Sequence, residues 1–405
     1  MGEFRIIHYN EQIFSKTNTM TELTLALTCP RGLEEVLSDE IKKYTSKSSI
    51  TDKGFVRLTH ATWEDVYRLN LWTRTAARVL VLLKKSTISN EKDIYKIATQ
   101  VAWQDFFSSN QTFKINITGQ DAKVKSLNFA ALLVKDAICD CFRKTDGIRP
   151  SVDKANPDIR INVILTDKEL LLYLDTSGEA LFKRGYRYHT TQAPLRENLA
   201  AGLLLLSGYD GNQTMIDPMC GSGTIAIEAA LIATNRAPGL LRNFAFERFK
   251  HFPADLWKQI RNEAFTQSKN APKIIFANDK NKKVLNIAQE SAKRAGVNEI
   301  IQFSHSDFVH KTIQNEHTGI LITNPPYGER LGELESIRRE YPLWGTHLKH
   351  NFAGWLAGFF TADKELPKNI HLLPKRKIPL YNGELDCRLY LFDMVSGSNR
   401  KNNKN

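Results

Sequence analysis

The sequence predicts an α/β protein: an α+β half, then a larger unit on an open, mostly parallel sheet whose last strand runs antiparallel. Three observations predict this. Before residue 176, short alternating strands are separated by helices with apolar faces. From about Pro194 onward, apolar strands alternate with helices, the rhythm of a parallel sheet. Near the end, apolar runs at 355–360 and 389–392 supply a late strand pair.

The first strand covers 23–27 and stops at Cys29-Pro30-Arg31-Gly32. Leu33, Val36, Leu37 and Ile41 then fall at helical spacing. A strand at 54–58, a helix at 61–72 and a strand at 77–83 complete a unit of ferredoxin-like size. A second unit begins near Asn90, with a helix at 91–107, a strand at 113–117 and a helix at 126–143. Strands 159–165 and 170–174, joined by the short link Thr166 to Glu169, read as a hairpin. This unit carries no catalytic constellation. In the last unit, strands are expected at 215–216, 274–277, 300–303, 320–323, 355–360 and 389–392. The stretch 235–270, with Phe244, Phe246, Phe249 and Trp257, reads as an insertion or a lengthened crossover.

The 405 residues suffice for two or three domains, and Gly 22 and Pro 14 are near background, which argues for a folded globular chain. The net charge of +12 is spread over both halves and favours a polyanionic partner such as nucleic acid. Cys29, Cys139, Cys141, Cys220 and Cys387 have no zinc-site spacing, so no metal is expected. Their odd number suits a reducing compartment, hence the cytoplasm. No apolar stretch approaches membrane-spanning length, so no membrane is expected. The first 20 residues lack the apolar core of a signal peptide, and Ile6 stands where a myristoylation signal needs Ser or Thr. Residues 1–19 are expected to be a flexible leader, or translation begins at Met20; the polar tail 396–405 is expected to fray.

Four stretches carry chemistry. In 215–233 an apolar strand meets Asp217-Pro218, then the turn Met219-Cys220-Gly221-Ser222-Gly223-Thr224, then an apolar helix. Glycines there let a ligand approach the backbone, and the helix start offers free N–H groups. The pattern is neither GxGxxG nor a P-loop, which disfavours dinucleotide and nucleoside-triphosphate sites. At 273–280 a strand ends in Asn278-Asp279, where a carboxylate can accept from ribose hydroxyls. At 303–308 another ends in Asp307-Phe308, a carboxylate and an aromatic suited to gripping an adenine. At 320–330 a β-rich run ends in Asn324-Pro325-Pro326-Tyr327. The prolines stiffen that loop and leave carbonyls as pure acceptors. The Asn324 side-chain oxygen and the Pro325 carbonyl can accept both hydrogens of an exocyclic amine, and the Tyr327 ring can stack on its base.

DPMCGSGT followed by NPPYGER resembles the class I, S-adenosylmethionine-dependent methyltransferases that act on base amino groups. Over roughly 20–395 the chain is similar to the bacterial 23S rRNA guanine-N2 methyltransferases that carry an N-terminal THUMP domain. The similarity includes RGLEEVLSDE, YRLNLWTRTAARVL, GIRPSVDKANPDIRI, LFKRGYR, APLRENLAAGLLLLSG, HNFAGWLAGFF and LYNGELDCRLYLF. It implies a ferredoxin-like region at 20–65, a THUMP RNA-binding domain at 66–175, a linker at 176–192 and a Rossmann-like methyltransferase domain at 193–395. Asp217, Met219, Cys220, Gly221, Gly223 and Thr224 would then embrace the methionine part of S-adenosylmethionine, Asp279 its ribose, and Asp307 with Phe308 its adenine. Asn324 would border the cofactor and, with Pro325, Pro326 and Tyr327, hold the target guanine. Lys183, Arg184, Tyr186, Arg187 and Arg330 would contact RNA, as the three cations and one aromatic of KRGYR suggest. Long fused members carry a second domain that makes N7-methylguanine; this chain is expected to lack it. The loop alone leaves open a tRNA guanine-N2 methyltransferase and an adenine-N6 methyltransferase; a further alternative is a non-catalytic RNA-binding assembly factor, against which the intact Asp217, Gly221, Gly223, Asn324 and Tyr327 argue. Neither the oligomeric state nor the exact nucleotide is legible.

Overall fold

The computed structural model describes residues 22–119, 124–187, 195–313, 318–326 and 331–395. The expected leader and tail lie outside them.

In chain order the N-terminal half holds β1 (Leu23–Thr28), α1 (Glu34–Thr45), β2 (Ile50–Asp52), β3 (Phe55–Ala61), α2 (Trp63–Trp72) and β4 (Arg78–Thr87). Next come α3 (Glu91–Ala98), β5 (Phe113–Gly119), α4 (Leu127–Asp146), β6 (Ile159–Leu165) and β7 (Glu169–Asp175). Thr62 starts α2 and Asn90 starts α3, each with reciprocal capping by the aspartate three residues on, Asp65 and Asp93. Among the described residues these strands make one sheet, ordered β2-β3-β1-β4-β7-β6-β5. The two small units read from the sequence are therefore joined. Their seam is the antiparallel β4–β7 pair, from Leu80↔Asp175 to Thr87↔Glu169, which begins inside the expected strand and runs on past its expected end at residue 83.

Two expectations need correction. The boundary expected between residues 65 and 66 falls inside α2, whose Val66, Leu69 and Leu71 are all buried in one core cluster. The whole of α2 and β4 therefore goes with the first unit. The helix expected over 91–107 stops at Ala98. The buried Trp103 indole donates to Ala98 O at 2.8 Å, satisfying a terminal helix carbonyl, and a 3-10 turn Trp103–Asp105 follows.

The C-terminal half holds α5 (Glu197–Leu206), β8 (Met215–Asp217), α6 (Thr224–Ala233), α7 (Ala254–Thr266), β9 (Ile275–Asp279), α8 (Lys282–Ala295) and β10 (Ile301–His305). It continues with β11 (Ile320–Thr323), α9 (Leu331–Asn351), β12 (Leu356–Thr361), α10 (Leu366–Asn369), β13 (Arg376–Asn382) and β14 (Leu385–Asp393). The sheet order is β10-β9-β8-β11-β12-β14-β13, with the first five strands parallel and β14 antiparallel to both its neighbours. The antiparallel last strand is as expected; β13 was not anticipated. Its sequence RKIPLYN contains Pro379, which argues against a strand except at a sheet edge, where β13 lies. From β8 the chain proceeds to one side through β9 and β10, then to the other through β11 and β12. The order reverses between β8 and β11, and in such sheets ligands bind at the carboxyl ends of the strands flanking that reversal.

The insertion at 235–270 clasps the two halves together. Phe244, Phe246, Phe249 and Trp257 are buried in the core of the N-terminal half. The Phe246 ring lies 4.8 Å from Tyr67 of α2 and 4.9 Å from Trp257. Gly239 N donates to Leu71 O, and a Cβ at Gly239 would fall 2.9 Å from that oxygen, so the approach needs glycine. Arg74 fastens the same seam by donating to Leu231 O and Arg236 O. Burying four aromatic rings contributes several kcal/mol, at roughly 1.5–3 kcal/mol each.

Candidate functional site

The turn after β8 is held from beneath. Cys220 N donates to Asn278 O at 2.8 Å, and Gly223 N to Cys220 O at 2.8 Å. The two glycines both have positive φ, 51° at Gly221 and 81° at Gly223, but serve different ends. A Cβ on Gly221 would meet nothing within 4 Å, so the turn borders open space there. A Cβ on Gly223 would lie 2.8 Å from the Cβ of Ala288, so Gly223 lets α8 pack against α6 instead.

Asp279 closes the turn from the end of β9. One carboxylate oxygen accepts from Gly221 N at 2.8 Å and the other from Asn281 N at 2.8 Å. A carboxylate has about four acceptor positions, so capacity for two hydroxyl donors remains. Asn278, fully buried beside it, joins three strand ends. Its Nδ2 donates to Pro218 O and Ser306 O, and its Oδ1 accepts from Ser304 Oγ and Ser306 Oγ. The sequence signal was present in Ser304 and Ser306 at alternate positions beside a strand-end asparagine, but only the parallel register brings them together. Asp307 ends the next strand, half-buried, and its carboxylate accepts from Val309 N at 3.2 Å.

Asp217 sits at the switch point and is 1% exposed. The Thr323 hydroxyl donates to its Oδ1 at 2.8 Å, and Met219 N at 3.3 Å. Burial raises its pKa to about 7 against these two bonds, and the Asp279 charge adds to the rise. The Asp217–Thr323 bond ties the end of β8 to the residue before Asn324, so the glycine turn and the Asn-Pro-Pro segment are braced against each other. Asn324 is half-buried, Pro325 buried and Pro326 exposed. Tyr327 and Arg330 lie outside the described residues.

Of the expected cofactor residues, Met219, Gly221, Asp279 and Asp307 stand half-buried around the open end of the sheet. Asp217, Cys220 and Thr224 are buried beneath it and support the turn; burial drives the Cys220 thiol pKa well up. Phe308 is corrected. It is 3% exposed, with Trp344 and His347 edge-on to its ring, so the expected stacking surface is taken by the protein's own core.

The expected RNA contacts at Arg184 and Tyr186 are also corrected. Both are buried. Arg184 pairs with buried Glu228 of α6 at 3.4 Å and donates to Leu181 O and Arg74 O. The Tyr186 hydroxyl donates to the same Glu228 at 3.1 Å. Arg187, largely buried, turns inward to Glu197 and Thr224. Only Lys183 of this group is exposed, and it pairs with Glu179. The two arginines of the segment are matched inside the protein, which makes it a structural strap.

An open parallel sheet with a glycine turn and an Asn-Pro-Pro segment on the two strands at its reversal has the class I methyltransferase fold. The chain belongs to the family whose model is described as RMKL-like, methyltransferase domain, which matches residues 184–390. Residues 89–175 match the THUMP domain and 24–80 the RlmL ferredoxin-like domain. Ribosomal RNA large subunit methyltransferase K/L of Vibrio parahaemolyticus is 37% identical over 362 residues, covering 88% of this chain and 51% of that protein. The protein of that name from Pseudoalteromonas atlantica is 37% identical over 370 residues, covering 90% and 53%. The chain thus spans about half the length of the curated relatives it matches. The structure of a possible methylase from Clostridium difficile 630 has a TM-score of 0.84 at 30% identity, covering 94% of this chain and all of that one. SMU.472 complexed with SAH has a TM-score of 0.85 at 27% identity, with coverage of 94% and 100%.

Proposed function

We propose that this chain methylates the exocyclic N2 amino group of a guanine in 23S rRNA, with S-adenosylmethionine as donor, in the cytoplasm. The carrying observation is the Asp217–Thr323 bond of 2.8 Å, which sets Asn324 beside the glycine turn at the sheet's reversal. The names of the 37% identical relatives support the substrate, and the complex of SMU.472 with SAH supports the cofactor. The open space at Gly221 and the spare acceptor capacity of Asp279 fit a nucleoside with an amino-acid tail. The cofactor supplies an electrophilic methyl group. Asn324 and the Pro325 carbonyl would accept the amine hydrogens and turn its lone pair toward that methyl. Transfer of that methyl to the amine nitrogen would leave the carbon–sulfur electron pair on sulfur and release one proton to water. No general base is required, because the N-methylated aryl ammonium formed by the transfer is a strong acid.

The deciding experiment is nucleoside mass spectrometry of rRNA and tRNA from a deletion strain, followed by remethylation of its 23S rRNA in vitro. Loss and recovery of one N2-methylguanosine in 23S rRNA is expected. Recovery of N6-methyladenosine, or a change confined to tRNA, would overturn the reading.

A further inference from the structure

A cavity of about 550 Å³ lies where the two halves meet, away from the crevice at the sheet's reversal. Its walls come from the turn after β1, the first turn of α5 and the β13–β14 turn, and include Cys29, Arg31, Arg196, Asn198, Tyr381 and Glu384. Its size is that of an ordinary small-ligand site. The surrounding walls are set by close backbone packing. A Cβ on Gly32 would fall 2.5 Å from Pro379 O, and one on Gly202 would fall 2.4 Å from the Leu33 side chain.

The lining has a definite chemistry. The Arg31 guanidinium lies 5.8 Å from the centre of the Tyr381 ring, and the Arg196 guanidinium 5.1 Å from that of Phe182. Both arginines are exposed, and among the described residues neither is in an ion pair. Asn198 is 1% exposed; its Nδ2 donates to Thr75 O, while its Oδ1 has no partner among the described residues. Buried orphan acceptors are rare and mark places where a ligand or water completes the set. Forked guanidiniums match phosphate oxygens, an aromatic ring matches a base, and the Glu384 carboxylate matches the N–H groups of a base edge.

We infer that this cleft holds one unstacked nucleotide of single-stranded RNA, separate from the base that is methylated. The inference rests on the RNA reading proposed above. Its position suits a strand passing the methyl-transfer crevice. Arg187 donates both to Leu195 O, next to Arg196, and to Thr224 at the end of the glycine turn, so one guanidinium spans from the cleft's helix to that turn.

The test uses the full chain and a 5′-fluorescein single-stranded RNA of mixed sequence, about a dozen nucleotides long, read by anisotropy. Tyr381→Ala and Arg196→Ala should each weaken binding about fivefold or more, the lower end for a lost stacking contact. Tyr381→Phe should stay within about twofold, and all variants should keep SAH affinity in calorimetry. Ultraviolet cross-linking of the wild type should attach RNA to Tyr381, which a merely structural role would not produce. Unchanged affinity in the alanine variants, with no cross-link at Tyr381, overturns the inference and leaves the RNA reading standing. Displacement of the RNA by micromolar GMP would give the cleft to a free nucleotide and also overturn it. A wild type that binds SAH but not this RNA overturns the inference and the RNA reading together.

Discussion

Arg187 donates to the Thr224 hydroxyl oxygen at 2.7 Å and so ties the strap leaving the N-terminal half to the first residue of α6. The same side chain faces Glu197 at 3.4 Å. Its work is therefore on the glycine turn. Arg187→Ala should reduce SAH affinity by roughly 1–2 kcal/mol, the scale of a charge-assisted hydrogen bond. The salt dependence of RNA binding should stay unchanged. Calorimetry and salt titration measure the two, and a flattened salt slope with intact SAH binding would return Arg187 to the RNA surface.

Glu228 is 0% exposed and is the counter-charge of Arg184, itself 2% exposed. Glu228→Ala would strand a buried guanidinium and the Tyr186 hydroxyl. A loss of about 3–5 kcal/mol in urea denaturation is expected. Replacing both partners by apolar residues should recover much of it, since removing the pair together leaves no buried charge unmatched.

The strap shows where sequence reading reaches its limit. KRGYR looks like an RNA contact because charge in a sequence is read as surface charge. Glu228 sits in TIAIEAALIA, a helix otherwise apolar after Thr224, and that lone acid was the available hint that a cation is buried nearby. The strand ends at Asp217, Asp279, Asp307 and Asn324 were legible because parallel strands must deliver their last residues to one edge. Asn278, Thr323 and the seam between β4 and β7 were not, since they depend on register between distant segments. Phe308 was misread for a related reason: an aromatic after a strand looks the same whether it faces a ligand or α9.

The two glycines of the turn should separate by experiment. Gly221→Val should fold, at a backbone cost of about 1–3 kcal/mol for a side chain at positive φ, and lose measurable SAH binding, because its side chain enters open space. Gly223→Val should instead lower the melting temperature, because its side chain meets Ala288 in α8. Thermal unfolding with and without SAH distinguishes them. Equal melting temperatures for the two variants would contradict the division of roles.

Asp217 predicts a pH dependence of stability. Its folded pKa of about 7 stands above the ordinary 3.8, so the folded state binds a proton more tightly than the unfolded state. The associated stabilisation is full below about pH 4 and is lost as pH rises through 7. Asp217→Asn should remove this dependence and be the more stable protein at pH 8. The upper bound is about 4 kcal/mol, from roughly three units at 1.36 kcal/mol each. Urea denaturation at pH 5 and pH 8 is the measurement. The same wild-type-to-variant difference at both values would mean that burial exerts no such cost.

Asn324 follows directly on the residue that holds Asp217, so its backbone position is fixed by a buried hydrogen bond rather than by substrate. In the proposed reaction an acceptor held here would act mainly in the transition state, where positive charge grows on the attacking nitrogen and its N–H bonds become stronger donors. Asn324→Ala should therefore leave SAH binding nearly intact and slow single-turnover methyl transfer by about 10² or more. Asn324→Asp keeps an acceptor in place and should retain more activity than the alanine variant. Thr323→Val should lie between the wild type and Asn324→Ala, because it releases the brace but keeps the acceptor. The assay is single-turnover transfer at saturating enzyme followed by nucleoside analysis. A normal rate in Asn324→Ala would remove the side-chain amide from the mechanism and leave amine alignment to the Pro325 carbonyl alone.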